Sequence, residues 1–384
     1  MNIDRIFLSE AHPSGKELSY VQQALQLKAI TSGGSVVREF EKDLEQYLED
    51  KVYVYATNSG TAAIHLGLLL LGVESGDEVL CQTMTFSASV NPILYIGATP
   101  IFIDSEPSTW NMCPIALDEA IKDRLSKGKK PKCIVVVDLY GMPFQVEKIR
   151  AVAAQYSIPV LEDSAEALGS SYKGMPCGTL GDIGVFSFNG NKIITTSSGG
   201  ALILSDKLKK ERAFFLATQA RDVAPYYQHS EIGYNYAMSS IAASVGRGQL
   251  EVLGERLKAR RDNHLFYDEL FSNAKGVLVF SEPNAVFFSN YWLTTILIDK
   301  EKTNGLTPEI FRLFLEEYNI EARHLWKPMH LQPVFEKYPY YGKKIAASLF
   351  EVGLCLPSSS NLTQESKNRI KESCQVLLNK YQCL

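Results

Sequence analysis

The sequence predicts an α/β protein, with a large domain round a mostly parallel sheet and a small C-terminal α+β domain. Three observations carry this. From position 52 onward, short apolar runs alternate with stretches of helical periodicity, the pattern of parallel strands joined by helices. The run Cys133-Ile134-Val135-Val136-Val137-Asp138-Leu139 is almost wholly apolar, as suits a strand covered on both faces. The chain's 384 residues exceed what one core accommodates.

Taken in order, residues 1–15 lack periodicity and read as an N-terminal arm. Helical spacing begins at 17–27. Thr31-Ser32-Gly33-Gly34-Ser35 is a flexible break. An amphipathic helix over 36–48 puts Val37, Phe40, Leu44 and Tyr47 on one face. A strand at 52–56 leads through Asn58-Ser59-Gly60-Thr61 into an apolar helix at 62–71. Strands follow at 78–82, 99–104, 133–139, 158–163 and 183–188, with helices at 87–95, 117–126 and 145–156 between them. A long helical stretch over 241–269 bridges into the last part, where strands at 276–280 and 291–298 and helices at 308–318 and 344–351 are shorter. The expected division is an arm at 1–15, a large domain at 16–250 and a small one at 251–384.

Composition narrows the function classes. A net charge of -4 gives no footprint for nucleic acid. The longest apolar run, 66–73, is too short to cross a membrane, and the first residues read as no signal peptide. Seven cysteines, with no C-x-x-C pair, suit reduced thiols in a cytoplasmic protein and no metal site.

The candidate chemistry sits where strands end. The organising stretch is 183–200, where an apolar strand breaks into Asn189-Gly190-Asn191 and Lys192 follows at once. Taken alone, such a lysine is more often a solvated loop residue. Ser59-Gly60-Thr61 stands at a helix start, where free N–H groups and the positive dipole end suit a phosphate; taken alone, an ordinary N-cap is the better reading. Asp163 closes a strand at the edge where open α/β sheets bind ligands, and could pair with a protonated ring nitrogen. Phe86, after the strand at 78–82, could stack on a flat ring. A lysine, a carboxylate, an aromatic and a phosphate cradle together fit pyridoxal 5'-phosphate (PLP).

The motifs are also recognisable. Ser59-Gly60-Thr61-Ala62-Ala63, the run from Glu162 to Gly169 (Glu-Asp-Ser-Ala-Glu-Ala-Leu-Gly), the run from Ser187 to Thr196 (Ser-Phe-Asn-Gly-Asn-Lys-Ile-Ile-Thr-Thr) and Gly233-Tyr234-Asn235-Tyr236 resemble the DegT/StrS family of PLP-dependent nucleotide-sugar aminotransferases. That family has the fold type I architecture. The resemblance runs from about residue 5 to the C-terminus. It implies Lys192 as the Schiff-base lysine and Asp163 as the partner of the pyridine nitrogen. It implies Phe86 as the stacking aromatic, Gly60, Thr61 and Ser187 as phosphate contacts, and Glu166 beside the ring. Asn235 would reach the phosphate of a neighbouring subunit, making a homodimer with shared sites. Trp326 and His330 match sugar-nucleotide contacts. Ala237 and Ser240 replace the family's Arg and Asn, and Ser198 stands where Gly or Glu is common.

The implied reaction moves an amino group from an amino acid, glutamate first, to a nucleotide-linked keto sugar. A UDP-linked 4-keto-6-deoxy hexose, with or without a 2-acetamido group, is the first expectation. GDP- and dTDP-linked sugars are alternatives. A dehydratase of the same fold would carry His in place of Lys192. A non-catalytic regulatory protein of the same fold is the other competing reading.

Overall fold

The computed structural model describes residues 4–384, so positions 1–3 of the expected arm lie outside it. An eight-stranded sheet runs Tyr53–Thr57, Gly200–Leu204, Ile183–Ser187, Val160–Asp163, Cys133–Val137, Glu78–Gln82, Thr99–Ile103, Tyr340–Tyr341 in spatial order. Gly200–Leu204 is antiparallel to both neighbours; every other pairing is parallel. Both faces are covered. Ile134 and Val136 pack with Leu117, Ile121 and Ile149 on one side, while Cys133 and Val135 pack with Ile64, Leu66 and Leu68 on the other. That is why the 133–137 run can be apolar throughout.

A four-stranded antiparallel sheet, ordered Val277–Val279, Thr294–Ile298, Gly353–Leu356, Arg323–His324, follows. It packs on residues of Leu253–Phe271, Pro308–Glu317 and Gln364–Lys380, with Phe311, Leu315, Ile370 and Leu378 fully buried. Ile6 of the arm forms a bridge with Ile320 and joins this second core. The C-terminal part also returns twice to the first. Phe287–Phe288 pairs with Ser171–Tyr172, and Tyr340–Tyr341 extends the large sheet beside Thr99–Ile103.

Three local expectations change. The 241–269 stretch is two helices, Ser240–Leu250 and Leu253–Phe271, because Val252 leaves helical backbone at φ -108°, ψ 10°. The 87–95 segment divides into a single turn, Ser87–Ser89, and a short helix, Asn91–Tyr95. Pro92 has no N–H with which to continue the first turn. The central strand ends at Val137, since Tyr140 adopts φ 55° in the turn that follows. No helix follows Asp163. Its carboxylate takes the Ala165 N–H at 3.2 Å, and Gly169 turns the chain away at φ 92°.

Candidate active site

The strand ends enclose a cavity of about 300 Å³. Its first wall is the start of helix Gly60–Leu70. Ser59 accepts the Ala62 N–H at 3.1 Å, so the cap serves one amide and leaves the first N–H groups and the dipole for an outside anion. Glycine is required here by close approach. A Cβ on Gly60 would lie 2.9 Å from Ser187 Cβ, and one on Gly200 would lie 2.5 Å from the Gly60 nitrogen. The absent side chains let the helix end sit directly against Ser187, forming a cradle lined by Gly60, Thr61 and Ser187.

Asp163 ends its strand 4% exposed. Ser89 donates to it at 2.6 Å, and Thr85 lies 2.6 Å from Ser89 in turn. Burial raises the Asp163 pKa; the Ser89 hydrogen bond, the Ala165 amide and the Lys192 charge oppose the rise. A buried carboxylate at this depth calls for a cationic or N–H partner in the cavity.

Lys192 follows a tight turn in which its N–H donates to Asn189 O at 3.0 Å. Its Nζ lies 3.6 Å from Glu166 Oε1 and 4.2 Å from the centre of the Trp292 ring. Glu166 uses its other oxygen to accept the Tyr140 N–H at 2.7 Å. The left-handed Tyr140 turn thus orients the carboxylate that faces the lysine. Burial pushes the Glu166 pKa up, with Lys192 as the leading opposing influence.

Phe86 is 54% exposed at the cavity mouth, 5.5 Å from the Trp326 ring. Trp326 stacks on Tyr140 and has a buried Nε1 without a partner among the described residues. Its lining position and orphaned donor suit a polar ligand.

Two of the expected site residues stand apart from the cavity lining. His330 contacts Thr83 Oγ1 at 2.7 Å and stacks on Tyr340, its pKa lowered by burial. Asn235 is exposed on the outside of the cradle, where its carbonyl accepts from Asn58 Nδ2 at 3.0 Å. Of the departures from the family pattern, Ser198 lines the cavity and donates to Asn58 O at 2.7 Å. Ala237 is buried and bridges Thr57, and Ser240 donates its hydroxyl to Thr31 O at 2.7 Å.

The residues missed by sequence reasoning are Ser89, Tyr140, Asn191 and Trp292. Ser89 had a local signal, a hydroxyl seven residues from the strand end in the Phe86 segment. Trp292 had none, since it arrives from a hundred positions downstream. Behind Asp163, the ligand atoms of Asp138, Glu162 and Cys177 lie within 4.8 Å of one another. Glu162 there accepts the N–H groups of Gly178, Leu180 and Gly181, which favours its ionised form. Burial and the Glu162 charge raise the Asp138 pKa well above its ordinary value, while burial raises that of Glu162 against the pull of these N–H groups.

The cradle, the buried carboxylate and the lysine are the parts PLP needs, and their donors and acceptors fit it. Comparison with known proteins agrees. The model of the DegT/DnrJ/EryC1/StrS aminotransferase family matches residues 13–375. EpsN of Bacillus subtilis (strain 168), a relative assigned as a pyridoxal phosphate-dependent aminotransferase, is 47% identical, with 96% of this chain and 94% of that protein covered. GDP-perosamine synthase of Escherichia coli O157:H7 is 39% identical over 94% of this chain and 95% of its own. The crystal structure of the aminotransferase TlmJ from Streptoalloteichus hindustanus superposes with a TM-score of 0.86 at 26% identity, covering 98% of this chain and 100% of that one. Family match, fold and cavity converge: the chain belongs to the DegT/DnrJ/EryC1/StrS aminotransferase family and is a PLP-dependent enzyme of fold type I.

Proposed function

We propose that this chain moves an amino group from glutamate to carbon 4 of a nucleotide-linked 4-keto-6-deoxy hexose. The observation that carries the reading is the meeting of Lys192, Glu166 and Asp163 in one cavity with a helix N-terminus. When bound, PLP supplies the electron sink for the amine transfer. Gly60, Thr61 and Ser187 would bind its phosphate through the helix end. Asp163 would hold a proton on the ring nitrogen, and Phe86 would cover the ring. Lys192 Nζ would move the proton at the reacting carbon, with Glu166 holding the amine in reach. Trp326 would donate its free Nε1–H to the sugar nucleotide.

The nucleotide is the finer point. UDP is the first reading, from the motifs around Lys192 and Trp326. GDP is the second, favoured by the similarity to GDP-perosamine synthases. Purified enzyme given glutamate and, separately, UDP-, GDP- and dTDP-linked 4-keto sugars tests both. Amination of none of them, with glutamate failing to convert the bound cofactor, would reject the reading.

We further propose a homodimer with shared sites. Val223, Tyr226, Tyr227 and Ile232 are strongly exposed in the segment leading to Asn235, an apolar surface that a second copy would cover. Asn235 would then reach the partner's phosphate, as the family resemblance implies. Mixing Lys192→Ala with Asn235→Ala chains should restore activity above the sum of the two, because one heterodimer site escapes both lesions. An active monomer would contradict this.

A further inference from the structure

Lys192 does not reach the cavity as a free side chain. Its Nζ rests 4.2 Å over the Trp292 ring, and Trp292 is 1% exposed. The indole is itself fixed by a closed circuit of hydrogen bonds. Trp292 Nε1 donates to the carbonyl of Asn191, the residue before the lysine, at 2.8 Å. Ser9 Oγ donates to the same carbonyl at 2.7 Å. Arg260 donates to Ser9 Oγ at 3.0 Å and to the Trp292 carbonyl, closing the ring. Arg260 is fully buried, and among the described residues its two terminal nitrogens donate to carbonyls and a hydroxyl, with no carboxylate. A second link sets Trp292 against Glu166. Asn290 accepts the Trp292 N–H at 2.8 Å and donates to the Glu166 carbonyl at 2.9 Å. One buried asparagine thus ties together the backbones of the two residues whose side chains face the Lys192 amine. A cationic amine over an indole face gains most where water is excluded.

We propose that Trp292 is a positioning residue for Lys192: its ring face seats the amine whenever the lysine is not bonded to the cofactor. The arm, helix Leu253–Phe271 and the 290–292 segment would then hold that seat in register with the lysine turn. The inference rests on Lys192 being the lysine that bonds PLP. It is independent of which sugar is aminated.

The test uses the cofactor-free apoprotein with PLP and with pyridoxamine phosphate (PMP), which cannot bond to a lysine. Stopped-flow absorbance reads the rate of covalent capture of PLP, and equilibrium fluorescence reads PMP affinity. Trp292→Leu should slow PLP capture by about tenfold, because the amine loses the surface that holds it in reach once its proton has left, and leave PMP affinity within about twofold. Trp292→Phe keeps a ring face and should recover most of the capture rate. Ser9→Ala removes one of the two donors to Asn191 O and should slow capture by an intermediate amount, which keeps the proposal testable if the Leu variant folds poorly. Wild-type capture by both Trp292→Leu and Ser9→Ala would overturn it. So would loss of PMP affinity in step with PLP capture, since that marks a collapsed pocket and not a misplaced amine. Lys192→Ala separates the underlying reading: covalent capture surviving in that variant would overturn both.

Discussion

Gly60→Ala isolates the cradle from the fold. The residue opens a helix, so alanine is favourable for the backbone by about 1 kcal/mol. The new methyl, however, would lie 2.9 Å from Ser187 Cβ and 3.2 Å from Ser187 Oγ. Carbon pairs sit comfortably at about 3.5–4.0 Å, so Ser187 must yield by roughly 0.6 Å. Overpacking of this kind costs about 1–3 kcal/mol. The two effects partly offset, and folding stability should fall by only about 1 kcal/mol. Binding should suffer more. Displacing Ser187 and blocking the helix end removes charge-assisted hydrogen bonds worth about 1.5–3 kcal/mol each, so PLP and PMP affinity should fall at least about tenfold. Gly254→Ala is the control, a helical glycine with nothing within 4 Å of the built Cβ. Its cofactor affinity should stay at the wild-type value. Isothermal titration of apoprotein with PMP, alongside thermal melts, reads both quantities. Unchanged PMP affinity in Gly60→Ala would refute the assignment of the phosphate to this helix end.

Three further outcomes follow from the geometry. Asp163→Asn should lower kcat by about a hundredfold or more while the melting temperature barely moves, because electrostatic stabilisation in a closed site is worth several kcal/mol; a kcat within about twofold of wild type would leave Asp163 only its structural hydrogen bonds from Ser89 and Ala165. Glu166→Gln should keep the cofactor bound and lower kcat by about tenfold, since the amide can still accept from Tyr140 but no longer carries the charge facing Lys192; loss of cofactor would contradict this. Asp138→Asn should flatten the pH dependence of apoprotein stability. The folded-state pKa of Asp138 is raised, so its contribution favours folding below the unfolded value of about 3.9 and is lost as pH rises towards the folded value. Melting temperatures from pH 4 to 8 that keep the wild-type slope would show that Asp138 does not set this dependence.

What could be read from the sequence is what the chain makes locally. Asp163, Ser187 and Gly60 each lie at or beside a strand end, where apolar runs meet turn chemistry, so their neighbourhoods carry the signal. Helix and strand positions in the first 163 residues were legible because parallel strands need continuous apolar runs. The strand Gly200–Leu204 was hidden among glycine and hydroxyl residues that point to a loop. Tyr340–Tyr341 was illegible for a different reason: two residues have no period, and only tertiary pairing with Thr99–Ile103 makes them a strand. The same limit applies to Trp292, Ser9 and Arg260. Nothing in their own neighbourhoods announces that they close round Asn191. His330 shows the converse. Its motif points to a ligand, while its ring is occupied by Thr83 and Tyr340.

The one reversed strand explains why the lysine and the cradle coincide. Had the strand Ile183–Ser187 led into another helical crossover, its carboxyl-end loop would have carried the chain away from the sheet. Instead the chain turns back as Gly200–Leu204, and Ser187 pairs directly with Gly200. Gly200 pairs in turn with Thr57, two residues before the cap of helix Gly60–Leu70. A single row of the sheet, Thr57, Gly200, Ser187, therefore fixes the helix end, the close approach of Gly200 to the Gly60 nitrogen and both ends of the loop bearing Lys192. Slipping this row by one residue would turn Ser187 to the other face, set a side chain where Gly200 must pass and displace the lysine loop in the same event. The cradle and the reacting amine are thus not two motifs that happen to be near each other. They are set by one register, and a substitution that disturbs it, such as Gly200→Ala with its Cβ 2.5 Å from backbone, must damage both together.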